Sequence, residues 1–141
     1  MRFLRAHAAL TRELSSRLEA VHELTLSDFD VLVQLYYAEG QRMRRIDLAR
    51  SVLLTASGIT RLLDGLEAGG LVAKERCDSD ARVTYAVLTK AGERKIEEAR
   101  ESHLADIEEL FGSQFSPQER DQLADLLGRL PLAHTAEPCS A

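Results

Sequence analysis

Residues 53–72 read LLTASGITRLLDGLEAGGLV, and the fold is decided by how that stretch is read. Ile59, Leu62, Leu63 and Leu66 stand at i, i+3, i+4 and i+7, the buried stripe of an amphipathic helix. Thr55 or Ser57 offers a cap for its start, and Gly69-Gly70 stops it. The face opposite the stripe carries Thr55, Ser57, Thr60 and Arg61 near the N-terminal end: short hydroxyls and one guanidinium. Beyond the glycines the apolar period falls from 3.6 to 2. Residues 71–76 and 83–88 therefore read as two strands joined by the polar loop 77–82.

Upstream of this stretch, residues 44–51 form a short helix with Ile46, Leu48, Ala49 and Val52 to bury, and 52–54 make a turn. Short helix, turn, helix and hairpin in that order make a winged helix-turn-helix. The second helix of such a unit fits the major groove of B-form DNA. Its hydroxyls and Arg61 can bond bases or phosphates, and its N-terminus attracts phosphate. Arg44 and Arg45 open the preceding helix, where backbone contacts belong, and Arg82 stands near the hairpin tip. Each has a plainer reading: hydroxyls as caps, Arg61 as partner of Asp64, Arg44 and Arg45 as a solvated pair.

Further out, residues 2–21 carry Leu10, Leu14, Leu18 and Val21 at helical spacing. Ser27 caps a second helix whose face is Phe29, Leu32, Val33 and Tyr36, and Gly40 ends it. After the hairpin, Thr89 caps a long helix bearing Ile96, Ala99, His103, Leu104, Ile107, Leu110 and Phe111. Ser116-Pro117-Gln118-Glu119 then starts a sixth, with Leu123, Leu126, Leu127 and Leu130, which Pro131 closes. The expected fold is mainly α: about six helices plus a two-stranded wing, in one domain. Residues 27–95 form the winged-helix lobe, 1–24 and 96–131 the dimerisation helices, and 132–141 a flexible tail.

Net charge is −5 over 141 residues, which opposes a simple polyanion binder. The charge is segregated, however. Residues 41–95 hold eleven bases against seven acids, and the rest of the chain holds seven against sixteen. A basic middle sits in an acidic frame, and local charge governs contact with DNA. No run approaches the roughly 20 apolar residues of a membrane span, so no membrane partner is expected. Two cysteines, Cys77 and Cys139, make no disulfide framework, and a reducing cytoplasm is the simplest location. No nucleophile–base pair, metal cluster or phosphate-cradling loop points to an enzyme. His7, His22, His103 and His134 lack zinc spacing, so neither metal nor cofactor is expected.

The stretch 53–72, with Asp80-Ala81-Arg82 and Leu88-Thr89-Lys90-Ala91-Gly92, resembles the recognition helix, wing and following helix of the MarR family of bacterial regulators. The likeness runs from about residue 3 to 130. It implies a homodimer joined by the first helix and the last two, on a palindromic double-stranded operator. It implies repression relieved by a small-molecule effector, often an aromatic or phenolic acid. Ser57, Thr60 and Arg61 match the groove-facing residues and Arg82 the wing arginine, while Asp80 matches an aspartate that shapes the wing. Two departures matter. Many members carry two or three wing arginines where this chain has only Arg82, and many have a base where Gly65 sits. Fewer phosphate contacts are therefore expected.

Tyr36 lies where the family's ligand pocket opens. Tyr36 and His7 are the ligand candidates, with core packing and a dimer-interface position as their plainer readings. His103 belongs with His7 at the interface or pocket rim. Cys77, beside Arg76 and Asp78, admits a redox-sensing regulator, although an inert thiol is the simpler account. A winged-helix module that binds protein rather than DNA is the remaining alternative.

Overall fold

A computed structural model of the chain describes residues 1–52, 56–77, 79–80 and 82–130. It contains α1 (Arg2–His22), α2 (Leu26–Tyr37), β1 (Arg42–Arg44), α3 (Arg45–Ser51), α4 (Ala56–Ala68), β2 (Val72–Arg76), β3 (Thr84–Leu88), α5 (Lys90–Leu110) and α6 (Pro117–Gly128). The strands form one antiparallel sheet in the order β1-β3-β2. The mainly helical winged fold expected from the sequence is what forms, with one strand more.

That strand, Arg42-Met43-Arg44, pairs with β3 so that Met43 faces Ala86. Gly40 (φ 65°) and Gln41 (φ 51°) take left-handed conformations just before it and turn the chain out of α2. The second helix accordingly ends at Tyr37 rather than at Gly40. Its cap is Thr25, not Ser27. Thr25 Oγ1 accepts the Asp28 amide at 3.1 Å, and Asp28 Oδ2 accepts the Thr25 amide at 2.9 Å. A threonine with an acid three residues on closes both orphan donors at once, which Ser27 cannot do here.

Leu18, Val31, Leu32, Leu35, Leu48, Ile59, Leu63, Val72 and Ile96 are the largest fully buried side chains. They come from α1, α2, α3, α4, β2 and α5, so the recognition unit and the long helices share one core. Ile46, expected inside, is half exposed on α3, and Val21 is exposed on α1. α1 and α5 are tied at two levels. Arg17 Nη1 donates to Asp106 at 2.8 Å and to Glu109 at 3.0 Å, and His22 Nε2 lies 2.6 Å from Ser102 Oγ. α6 starts on Ser116 with a capping box to Glu119 and buries no residue. Among the described residues no helix is long and apolar enough to cross a membrane.

Candidate nucleic-acid interface

α4 sits on the core through Ile59, Leu63 and Leu66, which leaves Ser57 and Arg61 exposed on its outer face. Thr60 lies a step round the helix, toward the sheet. Arg45, fifteen residues earlier, reaches it: Nη1 donates to Thr60 Oγ1 at 3.3 Å. Helix-turn-helix geometry thus brings together two residues picked out separately in the sequence. Ser57 is the second residue of α4, inside the helix rather than at its cap. Thr55 lies outside the described residues.

The cations of this lobe divide into paired and unpaired. Arg44 Nε donates to Asp47 Oδ2 at 2.5 Å. Arg42 lies 3.8 Å from Glu75 and stacks on Tyr85, 4.1 Å from the ring centre. Lys90 donates to Glu93 at 2.6 Å, which pulls that carboxyl below its usual range. Lys74, on β2, is held by both Asp64 and Glu67 of α4, at 2.9 Å for Glu67. Asp64 therefore goes to the sheet, not to Arg61. Among the described residues no carboxylate pairs with Arg45, Arg61, Arg76 or Arg82.

At the wing, Asp80 organises the turn. Its Oδ1 accepts the Arg82 amide at 3.0 Å, its carbonyl accepts the Val83 amide at 3.0 Å, and the Cys77 amide closes the hairpin on the Val83 carbonyl at 3.0 Å. The Arg82 side chain stays exposed. Cys77 is half-buried, its Sγ 3.1 Å from Ser79 Oγ. β2 and α5 are locked together behind the wing by Thr89, which donates to the Gly70 carbonyl at 2.7 Å and caps Gly92 at 3.0 Å.

Two clefts flank α2 where it meets α5. One, about 310 Å³, is lined by Val33, Tyr36, Tyr37, Ile96, Arg100 and Leu104. Tyr36 donates to Glu97 at 3.1 Å, and the neighbouring carboxylate raises the phenol's pKa. The other, about 620 Å³, runs between α1 and α2 past Thr11, Ser15, Phe29 and Asp30 to His103 of α5. His103 is 6% exposed, packs on Phe29 at 4.5 Å between ring centres, and leaves Nδ1 without a partner. Burial pulls its pKa down, against a smaller opposing pull from Asp106. Burial also raises the Asp30 carboxyl in the same cleft. His7 is elsewhere, exposed on α1 beside Phe3. Among the described residues no three His, Cys, Asp or Glu side chains are placed to hold a metal ion.

Comparison with known proteins gives one answer. A profile of the MarR family matches residues 24–84. The HTH-type transcriptional regulator YkoM of Bacillus subtilis, itself uncharacterized, is 33% identical over 125 residues, 89% of this chain and 79% of that protein. AbsC, a MarR family transcriptional regulator from Streptomyces coelicolor, superposes with a TM-score of 0.84 at 31% identity, covering 89% of this chain and 84% of that one. Sco3205, a MarR family regulator from the same organism solved in complex with DNA, superposes at 0.86 with 23% identity over 89% of this chain and 79% of that one, a likeness of fold.

Proposed function

This chain belongs to the MarR family of transcriptional regulators, and from that premise we propose that it acts as a homodimeric repressor on a palindromic double-stranded operator, without catalysis, in the cytoplasm. The observation that carries the reading is the division of cations. Of the guanidiniums left without a carboxylate among the described residues, Arg45, Arg61, Arg76 and Arg82 lie on α3, α4 and the wing, the face a winged helix turns to DNA. Arg61 and Ser57 would read the major groove, Thr60 and Arg45 would hold the flanking backbone, and Arg82 would reach the next minor groove. Thr55 would add a hydroxyl at the helix start. Arg44 is a weaker contact, because Asp47 already takes its Nε.

A second copy would cover the apolar side chains that one chain leaves in water. Phe3 and Leu4 on α1, Leu104 on α5, Phe115, and Leu126 and Leu130 at α6 are all exposed. A small effector would enter the His103 cleft. A neutral imidazole with an open Nδ1 beside Phe29 suits an aromatic ring bearing a hydroxyl or carboxyl group. Binding there would couple to DNA through α1, α2 and α5, and the coupling must be reciprocal.

The test is fluorescence anisotropy with the duplex upstream of the protein's own gene, against a scrambled duplex. Specific binding is expected to be about a thousandfold or more tighter, and Arg61→Ala and Arg82→Ala should each weaken it with helical content intact. Equal binding of both duplexes by the wild type, or full affinity in both variants, would overturn the assignment. Phenolic acids added to the complex should release DNA from the wild type but not from His103→Phe; release from both would remove the cleft from the account.

A further inference from the structure

We propose that the cleft between α4 and the wing is a seat for one DNA phosphodiester, gripped by Arg76 together with Arg45; this rests on the DNA-binding reading above and adds a contact that the sequence did not suggest. In a duplex, a major groove and the minor groove beside it are separated by a single sugar–phosphate strand. A helix in the first and a hairpin tip in the second therefore hold the gap between them over that strand. Whatever lines the gap faces phosphates.

The gap is a cleft of about 320 Å³ lined by Arg45, Thr60, Lys74, Arg76, Thr84 and Tyr85 among others. Strand alternation explains the cations. Val72, Lys74 and Arg76 share one face of β2, and Val72 is buried under α4. Lys74 meets Asp64 and Glu67. Arg76, two residues on, then comes abreast of the preceding turn of α4, at Thr60. Glu75 points to the other face, toward Arg42.

The charges in the cleft are unequal in what they can still bind. The Lys74 ammonium is neutralised by its two carboxylates. The described bond of Arg45 is to a neutral hydroxyl, and Arg76 has no acid partner among the described residues. Two guanidiniums and two threonine hydroxyls thus converge on one cleft. A planar fork on each side of a phosphate is how arginine binds that anion best. Arg76 also offsets the scarcity of arginines at the wing tip, from the stem of the wing.

The decisive measurement is the salt dependence of affinity for Arg76→Ala, Arg76→Lys and Arg94→Ala, on the operator duplex and on a scrambled one. Arg94 is exposed on α5, beside Gly69 at the far end of α4, and controls for lost charge. Arg76→Ala should flatten the slope of log affinity against log salt by about 0.9 for each protomer bound. It should weaken both duplexes by the same factor. Arg76→Lys should restore the slope, and Arg94→Ala should leave it unchanged. A wild-type slope in Arg76→Ala, or a loss confined to the operator, overturns the seat while leaving DNA binding intact. No salt-dependent binding by the wild type to either duplex overturns the underlying reading and the seat with it. Saturable binding of inorganic phosphate at constant ionic strength, lost in Arg76→Ala, would make the cleft a small-anion site instead.

Discussion

At position 92 a methyl group would collide with the Leu71 carbonyl oxygen and come within 2.7 Å of Leu88 Cδ1. Gly92 occupies the first turn of α5, where the helix passes against the end of α4 and the start of β2. Backbone cannot retreat as a flexible side chain can. Gly92→Ala is expected to destabilise the fold by about 3 kcal/mol through overpacking, read as a lower urea midpoint with unchanged slope. A midpoint equal to wild type would mean that the junction yields. His103 makes the opposite point, that a buried polar group leaves a pH signature. Its folded pKa lies below its unfolded value near 6.5, because burial disfavours the charged ring. The unfolded chain then binds more protons, so this contribution is complete above about pH 6.5 and is lost as pH falls toward the folded value. The drop in melting temperature between pH 7.5 and 5.5 should be smaller in His103→Phe than in wild type. An equal drop would assign the loss to groups other than His103; Glu93, Glu109 and Glu119, whose pKa values are held low, stay ionised over this range and lose their contribution only at lower pH.

Among the elements, those with a strong period were legible and those made by their neighbours were not. The stripe Ile59, Leu62, Leu63, Leu66 and the start Ser116-Pro117 carry their own signals. β1 is three residues long with arginines on both sides of Met43, and it exists because β3 has an edge to pair. Thr25 outcompeted Ser27 because Asp28 completes its capping box. Arg76 was visible as a strand residue, but only the packing of β2 on α4 says which face it takes. The Lys74 bridge was hidden for the same reason. As a surface ion pair it adds no more than about 1 kcal/mol to stability, and in the proposed DNA-binding reading it would serve to hold two acids off the interface. Lys74→Met should leave the urea midpoint nearly unmoved while weakening operator binding. Adding Asp64→Asn and Glu67→Gln should restore much of the affinity; no recovery would mean that Lys74 positions the wing instead.

In the whole molecule α6 is the helix with the least inside: twelve residues with none buried. Leu126 is 55% exposed and Leu130 48%, values that suit a helix waiting for a partner. Leu126→Asp is expected to give a monomer in sedimentation velocity, with affinity for the palindrome falling toward the nonspecific range of about 10⁻⁴–10⁻⁶ M. A stable dimer in that variant would move the interface off α6. In the sequence the two-copy reading rests on the family resemblance; the apolar periods of the first and last helices give only the helices themselves.

The pairing of Arg42, Arg44, Lys74 and Lys90 with local acids has a kinetic consequence. It leaves few free cations on a face framed by sixteen acids outside residues 41–95. A duplex binder of this kind has a weak, brief hold on random sequence. It searches a chromosome by short hops through solution rather than long slides, and it is seldom stranded on the wrong site. Because each phosphate contact adds to the salt slope, a binder with few of them also keeps its occupancy of the right site steadier against changes in the ionic strength of the cell than a more basic one would.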